Sequence, residues 1–344
     1  HSSVMNSIKD VAREAGVSTA TVSHVINNSR YVSDEVRERV LRAVESCHYY
    51  PNAHARSLAS GRSSIIGLVI SDISNPFFPE LVKSIETAAF ERGYDVVLSN
   101  TNYDPERTSH YVRRLIERKV AGVALMTSEL DPALVAELAR REVAVVFLDL
   151  GAPGAHMSNL RVDYEAGIEE ALRHLVSLGH RRIAFVGGPA RLRSAARRLE
   201  AFGYSVRQLV PDAPLLVFEG DFKLEGGRRA ASEMLRMDEQ ERPTAVVAAN
   251  DMMALGAMGE FRAAGLDIPR DISVVGFDDI AFASLAAPSL TTVCLPRLEL
   301  GRRAVEALMA TIQHPEQRGS EIAVPTYLVI RGSTAPARAL AGVR

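Results

Sequence analysis

The sequence has few cysteines and no long apolar segment. Its 344 residues include two cysteines, Cys47 and Cys294, which are far apart and lie among apolar residues. We therefore expect two buried free thiols rather than a disulfide or a metal site. No apolar run approaches the roughly 20 residues of a membrane-spanning helix, and the N-terminal residues lack the charged and apolar regions of a secretory signal. These absences predict a cytoplasmic protein with no membrane partner.

The motifs of common enzyme classes are missing as well. The sequence contains no G-x-S-x-G elbow, no H-E-x-x-H pair, no Walker loop and no G-x-G-x-x-G after its first core strand. Gly187-Gly188 and Gly226-Gly227 are isolated pairs, which favour turns over phosphate-binding loops. The Asp, Glu and His residues do not show the spacing of metal ligands. We therefore expect neither enzymatic activity nor a metal or cofactor.

A strong charge bias is also missing. The chain is 47% hydrophobic and 24% charged, as is typical of soluble globular proteins, and its net charge of −2 does not indicate a nucleic-acid partner. Residues 1–62 do carry a small excess of Lys and Arg over Asp and Glu, which is weak support for contacts with phosphates. A chain of this length can form two or three domains.

Residues 8–15 and 19–27 predict two short helices joined by a glycine turn. Gly16 can adopt a positive φ at no steric cost, which suits the end of the first helix. The valines of the second helix would share a buried face, while Ala20 and His24 would point away from it. A plain αα-hairpin could share this spacing. The free polar side favours a helix-turn-helix, whose second helix enters the DNA major groove.

Two more helical segments follow the helix pair. Residues 34–47 predict a third helix that Ser33 can cap and that closes a three-helix core. Residues 51–61 predict a helix too short to be stable alone in water. This segment is either a simple linker or a hinge helix that becomes ordered on DNA. A hinge helix would insert Leu58 into the minor groove and place Arg56 near phosphates.

From residue 63 onward the apolar pattern changes to that of an α/β protein. Ile65–Ile70 is a near-continuous apolar run, as in a strand that is buried on both faces. Strands and helices alternate from there to Leu148, and the alternation repeats from Tyr164 to Phe277. This pattern predicts two doubly wound, parallel α/β lobes with a cleft between them.

Short motifs occur along the whole chain in a characteristic order and spacing. They are Ile8-Lys-Asp-Val-Ala, Gly16–Asn27, Tyr50-Pro-Asn, Ala55-Arg-Ser-Leu58, Gly179-His-Arg-Arg-Ile183, Asn250-Asp-Met-Met-Ala-Leu-Gly256, Asp271–Asp279 and Pro288-Ser-Leu-Thr-Thr292. Each motif is modest alone. Together they resemble the lactose/galactose repressor (LacI/GalR) family of bacterial transcription regulators over essentially the whole length of the chain.

The resemblance implies a domain organisation. It consists of an N-terminal all-α helix-turn-helix headpiece at 5–50, a hinge helix and linker at 51–62, and a periplasmic-binding-protein-like α/β core at 63–344. The chain of such a core crosses between its lobes three times, here near Asp163, Thr291 and Pro325. The expected lobes are therefore about 63–163 with 292–325, and about 164–291 with 326–340.

The resemblance also implies which residues bind DNA. The base-reading positions fall on Thr19, Ala20 and His24. This assignment is chemically reasonable, because Thr and Ala methyl groups can contact thymine methyl groups and His can donate to guanine. The remaining DNA-binding positions are those of the phosphate contacts and the hinge, namely Ser18, Thr21, Ser23, Asn27, Arg56 and Leu58.

The implied effector site lies in the cleft of the core. Its positions fall on Phe77, Phe78, Asp149, Ser194, Arg198, Phe222, Asn250 and Asp278. Carboxylates, an amide and a guanidinium can bind vicinal hydroxyls, and phenyl rings can stack on a sugar. From the residues alone, Asp149 and Asp278 could instead cap turns, Asn250 could cap the helix that follows it, and the phenylalanines could be core residues. A sugar or polyol is the expected effector, with a purine as the alternative.

These expectations converge on a repressor that is switched allosterically by a small effector. It would bind a pseudopalindromic DNA operator as a homodimer in the cytoplasm, at the nucleoid. One rival is a cytoplasmic sugar kinase or dehydrogenase with a fused helical domain, and the other is a periplasmic-type solute-binding protein without a DNA role. Such a protein would carry a secretory signal and would have no helix-turn-helix headpiece.

Overall fold

The computed structural model describes residues 7–27, 30–49, 63–127, 130–149 and 153–338. The chain forms two compact units that divide after Ser63. Arg56 and Leu58 of the predicted hinge lie outside the described residues, so their roles stay predictions. Within the described ranges, no helix has both the length and the apolar character needed to cross a membrane.

The described part of the first unit is a small helical domain. Its helices are α1 (Ile8–Ala15), α2 (Thr19–Asn27) and α3 (Asp34–Ser46). Gly16 ends α1 with a φ of 64°, and the backbone N–H of Thr21 donates to Ser18 Oγ at 3.1 Å. The predicted limits of the first two helices are thus confirmed, whereas the side chain of Ser33 makes no capping hydrogen bond to α3. The three helices bury a core that includes Val11, Val22, Val25 and Val40.

The second unit is built from alternating strands and helices. Its strands are β1 (Ile65–Ile70), β2 (Asp95–Asn100), β3 (Gly122–Met126), β4 (Ala144–Leu148), β5 (Met157–Val162), β6 (Ile183–Val186), β7 (Leu216–Phe218), β8 (Ala245–Ala248), β9 (Ser273–Asp278), β10 (Thr291–Cys294), β11 (Glu321–Val324) and β12 (Tyr327–Val329). Its helices are α4 (Phe77–Phe90), α5 (Pro105–Glu117), α6 (Pro132–Arg140), α7 (Tyr164–Ser177), α8 (Arg193–Leu209), α9 (Leu224–Leu235), α10 (Asp251–Ala263), α11 (Ala281–Leu285) and α12 (Arg297–Gln313).

The described strands form two six-stranded sheets. The first sheet has the order β11-β5-β4-β3-β1-β2 and the second the order β12-β10-β9-β8-β6-β7. Every residue of strands β3, β8 and β9 is buried, as expected for parallel strands covered by helices on both faces. We call the first sheet with its helices lobe N and the second lobe C. The predicted pair of α/β lobes is confirmed, although β12 pairs antiparallel with β10.

The chain passes between the lobes at three places. These are Asp163 between β5 and α7, residues 295–296 between β10 and α12, and residues 325–326 between β11 and β12. The second crossing comes later than the boundary expected after Thr291. The reason is that β10 pairs with β9 of lobe C, and Thr292 Oγ1 donates to the buried carboxylate of Asp251 at 2.5 Å. The strand is therefore anchored in lobe C before the chain leaves it.

The two cysteines differ in their burial. Neither forms a disulfide, and Cys294, the last residue of β10, is buried as predicted. Cys47, which follows α3 in the first unit, is only partly buried. The expectation of two fully buried thiols therefore holds for Cys294 but not for Cys47.

Helices α9 and α10 approach each other closely through glycines. A Cβ atom on Gly256 would lie 2.0 Å from the carbonyl oxygen of Leu224, and one on Gly227 would lie 1.9 Å from that of Met253. Gly259 lies one turn further along α10, and a Cβ there would meet nothing within 4 Å. Close packing at Gly227 and Gly256 therefore fixes the start of α10.

Two substitutions in α10 should have opposite effects on stability. Gly256→Ala is expected to lower the free energy of unfolding by about 1–3 kcal/mol, because the backbones of the two helices must separate. Gly259→Ala adds a methyl group in open space and should raise it by up to about 1 kcal/mol, since Ala is the better helix former. Urea denaturation followed by circular dichroism measures both. Equal effects of the two substitutions would contradict the close helix contact.

Candidate functional sites

Helix α2 has a packed side and a free polar side. Val22 and Val25 are buried in the core of the first unit. Thr19 and Ala20 are exposed, and His24 is partly exposed. The three predicted base-reading residues therefore remain at least partly accessible on the surface of the domain.

The predicted phosphate-binding residues form local hydrogen bonds along α2. Ser18 Oγ and Thr21 Oγ1 are 2.9 Å apart at the start of the helix, and Asn27 Nδ2 donates to Ser23 Oγ at 3.1 Å near its end. All four side chains are exposed or partly exposed. Hydroxyl and amide groups of this kind contact the DNA backbone and fix the orientation of a recognition helix.

A cavity lies between the two lobes of the second unit. All eight residues of the predicted effector site line it. Lobe N contributes Phe77, Phe78 and Asp149, and lobe C contributes Ser194, Arg198, Phe222, Asn250 and Asp278. Asp149 directly follows β4 and Asp278 ends β9, so the carboxyl ends of parallel strands from both sheets face the cavity, as in other open α/β sheets.

Arg198 is the centre of the polar side of the cavity. Its Nη2 donates to Asp278 Oδ1 at 3.3 Å, and the two side chains are 9% and 6% exposed. Its guanidinium carbon lies 4.5, 5.0 and 5.4 Å from the ring centroids of Phe277, Tyr164 and Phe222. These contacts offset part of the cost of burying the charge. Among the described residues, Arg198 Nε finds no hydrogen-bond partner.

The ion pair of Arg198 and Asp278 lies within lobe C, whereas another ion pair crosses the cleft from one lobe to the other. Arg197 Nη1, on α8 of lobe C, donates to Asp149 Oδ1 of lobe N at 2.6 Å. Its Nη2 also lies 3.3 Å from a carboxylate oxygen of Glu165. Close by, Arg191 Nη1 donates to the carbonyl oxygen of Tyr103 at 2.9 Å. Direct polar contacts therefore join the two lobes beside the cavity.

Burial shifts the pKa values of the acidic groups in the cavity. Desolvation raises the pKa of Asp278 to about 6, although the positive charges of Arg198 and Arg297 act in the opposite direction. Desolvation also raises the pKa of Asp149, against the effect of Arg197. Asp278 is therefore mostly ionised at pH 7.5 and mostly protonated at pH 5.

Asn250 caps helix α10 and also holds a neighbouring loop. Its Oδ1 accepts a hydrogen bond from the N–H of Met253 at 2.9 Å, and its Nδ2 donates to the carbonyl oxygen of Phe222 at 2.8 Å. The capping alternative is thus observed. Phe222 has a φ of 63°, and Asp149 and Asp278 have φ values of 61° and 109°. Non-glycine residues rarely adopt such angles, and their clustering is typical of functional sites.

Further residues line the cavity without a sequence motif that indicates them. They are Ser71, Asn75, Tyr103, Met126, Thr127, Leu148, Tyr164, Arg193 and Leu295. Ser71 and Thr127 directly follow β1 and β3, so they could be found by inspecting the carboxyl end of every predicted strand. Tyr164 and Leu295 lie at crossings between the lobes. Tyr103 stacks on Phe222 with ring centroids 6.2 Å apart, a contact that only the fold creates.

Comparisons with known proteins match both units of the chain. The model of "Bacterial regulatory proteins, lacI family" matches residues 7–52, and that of a "Periplasmic binding protein-like domain" matches residues 172–334. The chain is 36% identical to the HTH-type transcriptional repressor PurR of Aliivibrio salmonicida, over 91% of this chain and 95% of that protein.

Two solved structures have the same fold over almost their whole length. One is the lac repressor dimer bound to operator and the anti-inducer ONPF, with a TM-score of 0.85, 33% identity and coverage of 96% of this chain and 99% of that one. The other is the complex of the transcriptional regulator CelR with cellobiose, with a TM-score of 0.69, 32% identity and coverage of 95% and 99%.

Proposed function

We propose that a small effector bound in the cavity controls the operator affinity of this chain, which belongs to the lacI family of bacterial regulatory proteins and is a DNA-binding transcriptional repressor. The observation that supports this proposal best is the lining of the cavity, to which both lobes contribute charged and aromatic side chains. A ligand that contacts both lobes stabilises the lobe arrangement that it fits best.

The change in lobe arrangement is proposed to alter the separation of the two DNA-binding units in a homodimer. The lac repressor structure, which this chain resembles, is a dimer on an operator. One helix-turn-helix unit covers a half-site, so a pseudopalindromic operator needs two units at a fixed separation. A shift of lobe N, where β1 begins at Ile65 directly after the hinge segment 51–62, would change that separation. The direction of the response, release or tighter binding, follows from which lobe arrangement the effector prefers.

A sugar or polyol fits the chemistry of the cavity best. Arg198 Nε and the carboxylates of Asp149 and Asp278 can bind the acceptor and donor sides of hydroxyl groups. Phe77, Phe78 and Phe222 supply rings for the apolar face of a sugar. The similar regulator CelR forms a complex with cellobiose, which supports this class. A purine would use the same rings and is the alternative.

On DNA, we assign base recognition to the free side of α2. Thr19 and Ala20 carry methyl groups for contact with thymine, and His24 is a donor for guanine O6 or N7. Phosphate contacts are assigned to the polar groups at the two ends of the helix, those of Ser18, Thr21, Ser23 and Asn27. In the segment outside the described residues, Arg56 and Leu58 remain the predicted hinge contacts.

Sugar binding should weaken in acid. Calorimetric titration with ribose, glucose, galactose, cellobiose, adenosine and hypoxanthine is expected to find a neutral sugar that binds more tightly at pH 7.5 than at pH 5. The pKa of Asp278 is about 6, so below that pH its carboxyl group no longer offers a charged acceptor to the ligand or to Arg198. Asp278→Asn should weaken binding by about tenfold or more and remove this pH dependence.

Two other outcomes of the same titration are informative. Binding of a purine compound with no binding of any sugar would contradict the proposed effector class. If no compound of either class bound, the effector role of the cavity would be contradicted.

Two substitutions in α2 should separate base reading from phosphate binding. His24→Ala is expected to lower affinity for the preferred site by about 5- to 150-fold and to relax the choice of base at one position of each half-site. Ser23→Ala should weaken binding to all duplexes alike, because phosphate contacts carry no sequence information. Selection of sites from a random pool of duplexes measures both effects. Unchanged base preferences in His24→Ala would assign recognition to other residues.

A further inference from the structure

Arg197 lies beside the cavity but is not part of its lining. It extends from α8 of lobe C and donates through Nη1 to Asp149 Oδ1 of lobe N at 2.6 Å. The Arg197 side chain is 21% exposed, while that of Asp149 is 7% exposed. The arginine therefore approaches the buried carboxylate from the solvent side and leaves the other side of Asp149 to the cavity.

The charges of the cavity lining balance each other. Two aspartates, Asp149 and Asp278, and two arginines, Arg193 and Arg198, line the cavity. Asp278 is paired with Arg198 at 3.3 Å, and Asp149 is paired with Arg197 from outside. Neither carboxylate therefore presents an uncompensated negative charge to a ligand. A cationic ligand would lose its hydration on entering the cavity without gaining a free anionic partner.

The pairing of Arg197 also extends beyond the cavity. Its Nη2 lies 3.3 Å from Glu165, which is 56% exposed and therefore solvated. Its guanidinium carbon lies 5.1 Å from the ring centroid of Tyr164, and the same ring contacts Arg198 from within the cavity. Arg197 is thus held in place by three groups, and its orientation toward Asp149 does not depend on a ligand.

We propose that Arg197 is a specificity-determining residue that neutralises Asp149 from outside the cavity and so makes the site select uncharged ligands over cationic ones. This inference rests on the proposed function, because it concerns the ligand of the same cavity. Within the sugar class, it narrows the effector to neutral sugars or polyols and excludes amino sugars that carry a positive charge. It also gives the two adjacent arginines of α8 different roles, since Arg198 lines the cavity and Arg197 compensates the charge of the Asp149 carboxylate.

The inference is tested by changing the charge at position 197 and the charge of the ligand together. The probes are glucose and galactose, their 2-amino-2-deoxy forms and their uronic acids, titrated at pH 7.0, where most of the amino groups are protonated and Asp278 is mostly ionised. In Arg197→Gln, which keeps a hydrogen-bond donor but removes the charge, the affinity ratio of amino sugar to parent sugar should rise by about tenfold or more. The ratio for the uronic acid should fall. Arg197→Lys keeps the charge and should behave as the wild type.

Arg173→Met serves as a matched control, because Arg173 forms a salt bridge with Glu169 on the surface of α7, outside the cavity lining. It should leave all ratios unchanged. Arg197→Met is a second charge-removing variant, in case one of the two does not fold, and thermal unfolding verifies the fold of each. Binding of the neutral sugars with the wild-type ratios in Arg197→Gln and Arg197→Met would overturn the inference while leaving the proposed function intact. Failure of the wild type to bind any of the neutral sugars here and in the pH titration would overturn both.

Discussion

Arg198 carries a full positive charge in a side chain that is 9% exposed, and a charge in that position is stable only if its neighbours compensate for the lost hydration. Asp278 at the end of β9 supplies the counter-charge. The rings of Tyr164, Phe222 and Phe277 supply the remaining favourable contacts. These partners come from separate segments of lobe C. Contacts with the one guanidinium therefore hold the ends of those segments together. The positive φ angles of Phe222 and Asp278 are the local cost of that convergence.

The same group of residues reaches the connections between the lobes. Tyr164 begins α7 directly after the first crossing. The carbonyl oxygen of Asp278 accepts a hydrogen bond from Arg297, which begins α12 after the second crossing. Arg297 Nε in turn donates to Glu80 of α4 in lobe N at 2.9 Å, and α4 begins with Phe77 of the cavity. A ligand that moved Asp278 would therefore act on lobe N through contacts that already exist, and these contacts are the physical basis of the proposed coupling.

The first unit and the residues at the ends of strands are predictable from local sequence signals. The features that the sequence does not predict depend on tertiary contacts. Gly16 marks the break between α1 and α2 in the sequence, and in the structure it ends α1 with a positive φ. Strand β5 cannot be predicted from an apolar pattern because its residues Ser158 and Asn159 are polar, although both are buried. Ser158 Oγ accepts the N–H of Ser320 at 3.1 Å, a partner that no local pattern reveals. The predicted lobe boundary after Thr291 is too early for a similar reason, since Thr292 is held in lobe C by the buried Asp251.

Occupation of the cavity is proposed to change the affinity of α2 for DNA. The most direct test is a titration of the full chain onto its preferred operator, with and without a saturating sugar identified by calorimetry, at fixed salt because phosphate contacts make affinity salt-dependent. We expect a change of operator affinity of about 5- to 150-fold, as is typical of allosteric coupling. Identical operator affinities with the cavity empty and with it occupied would contradict control of DNA binding by the cavity.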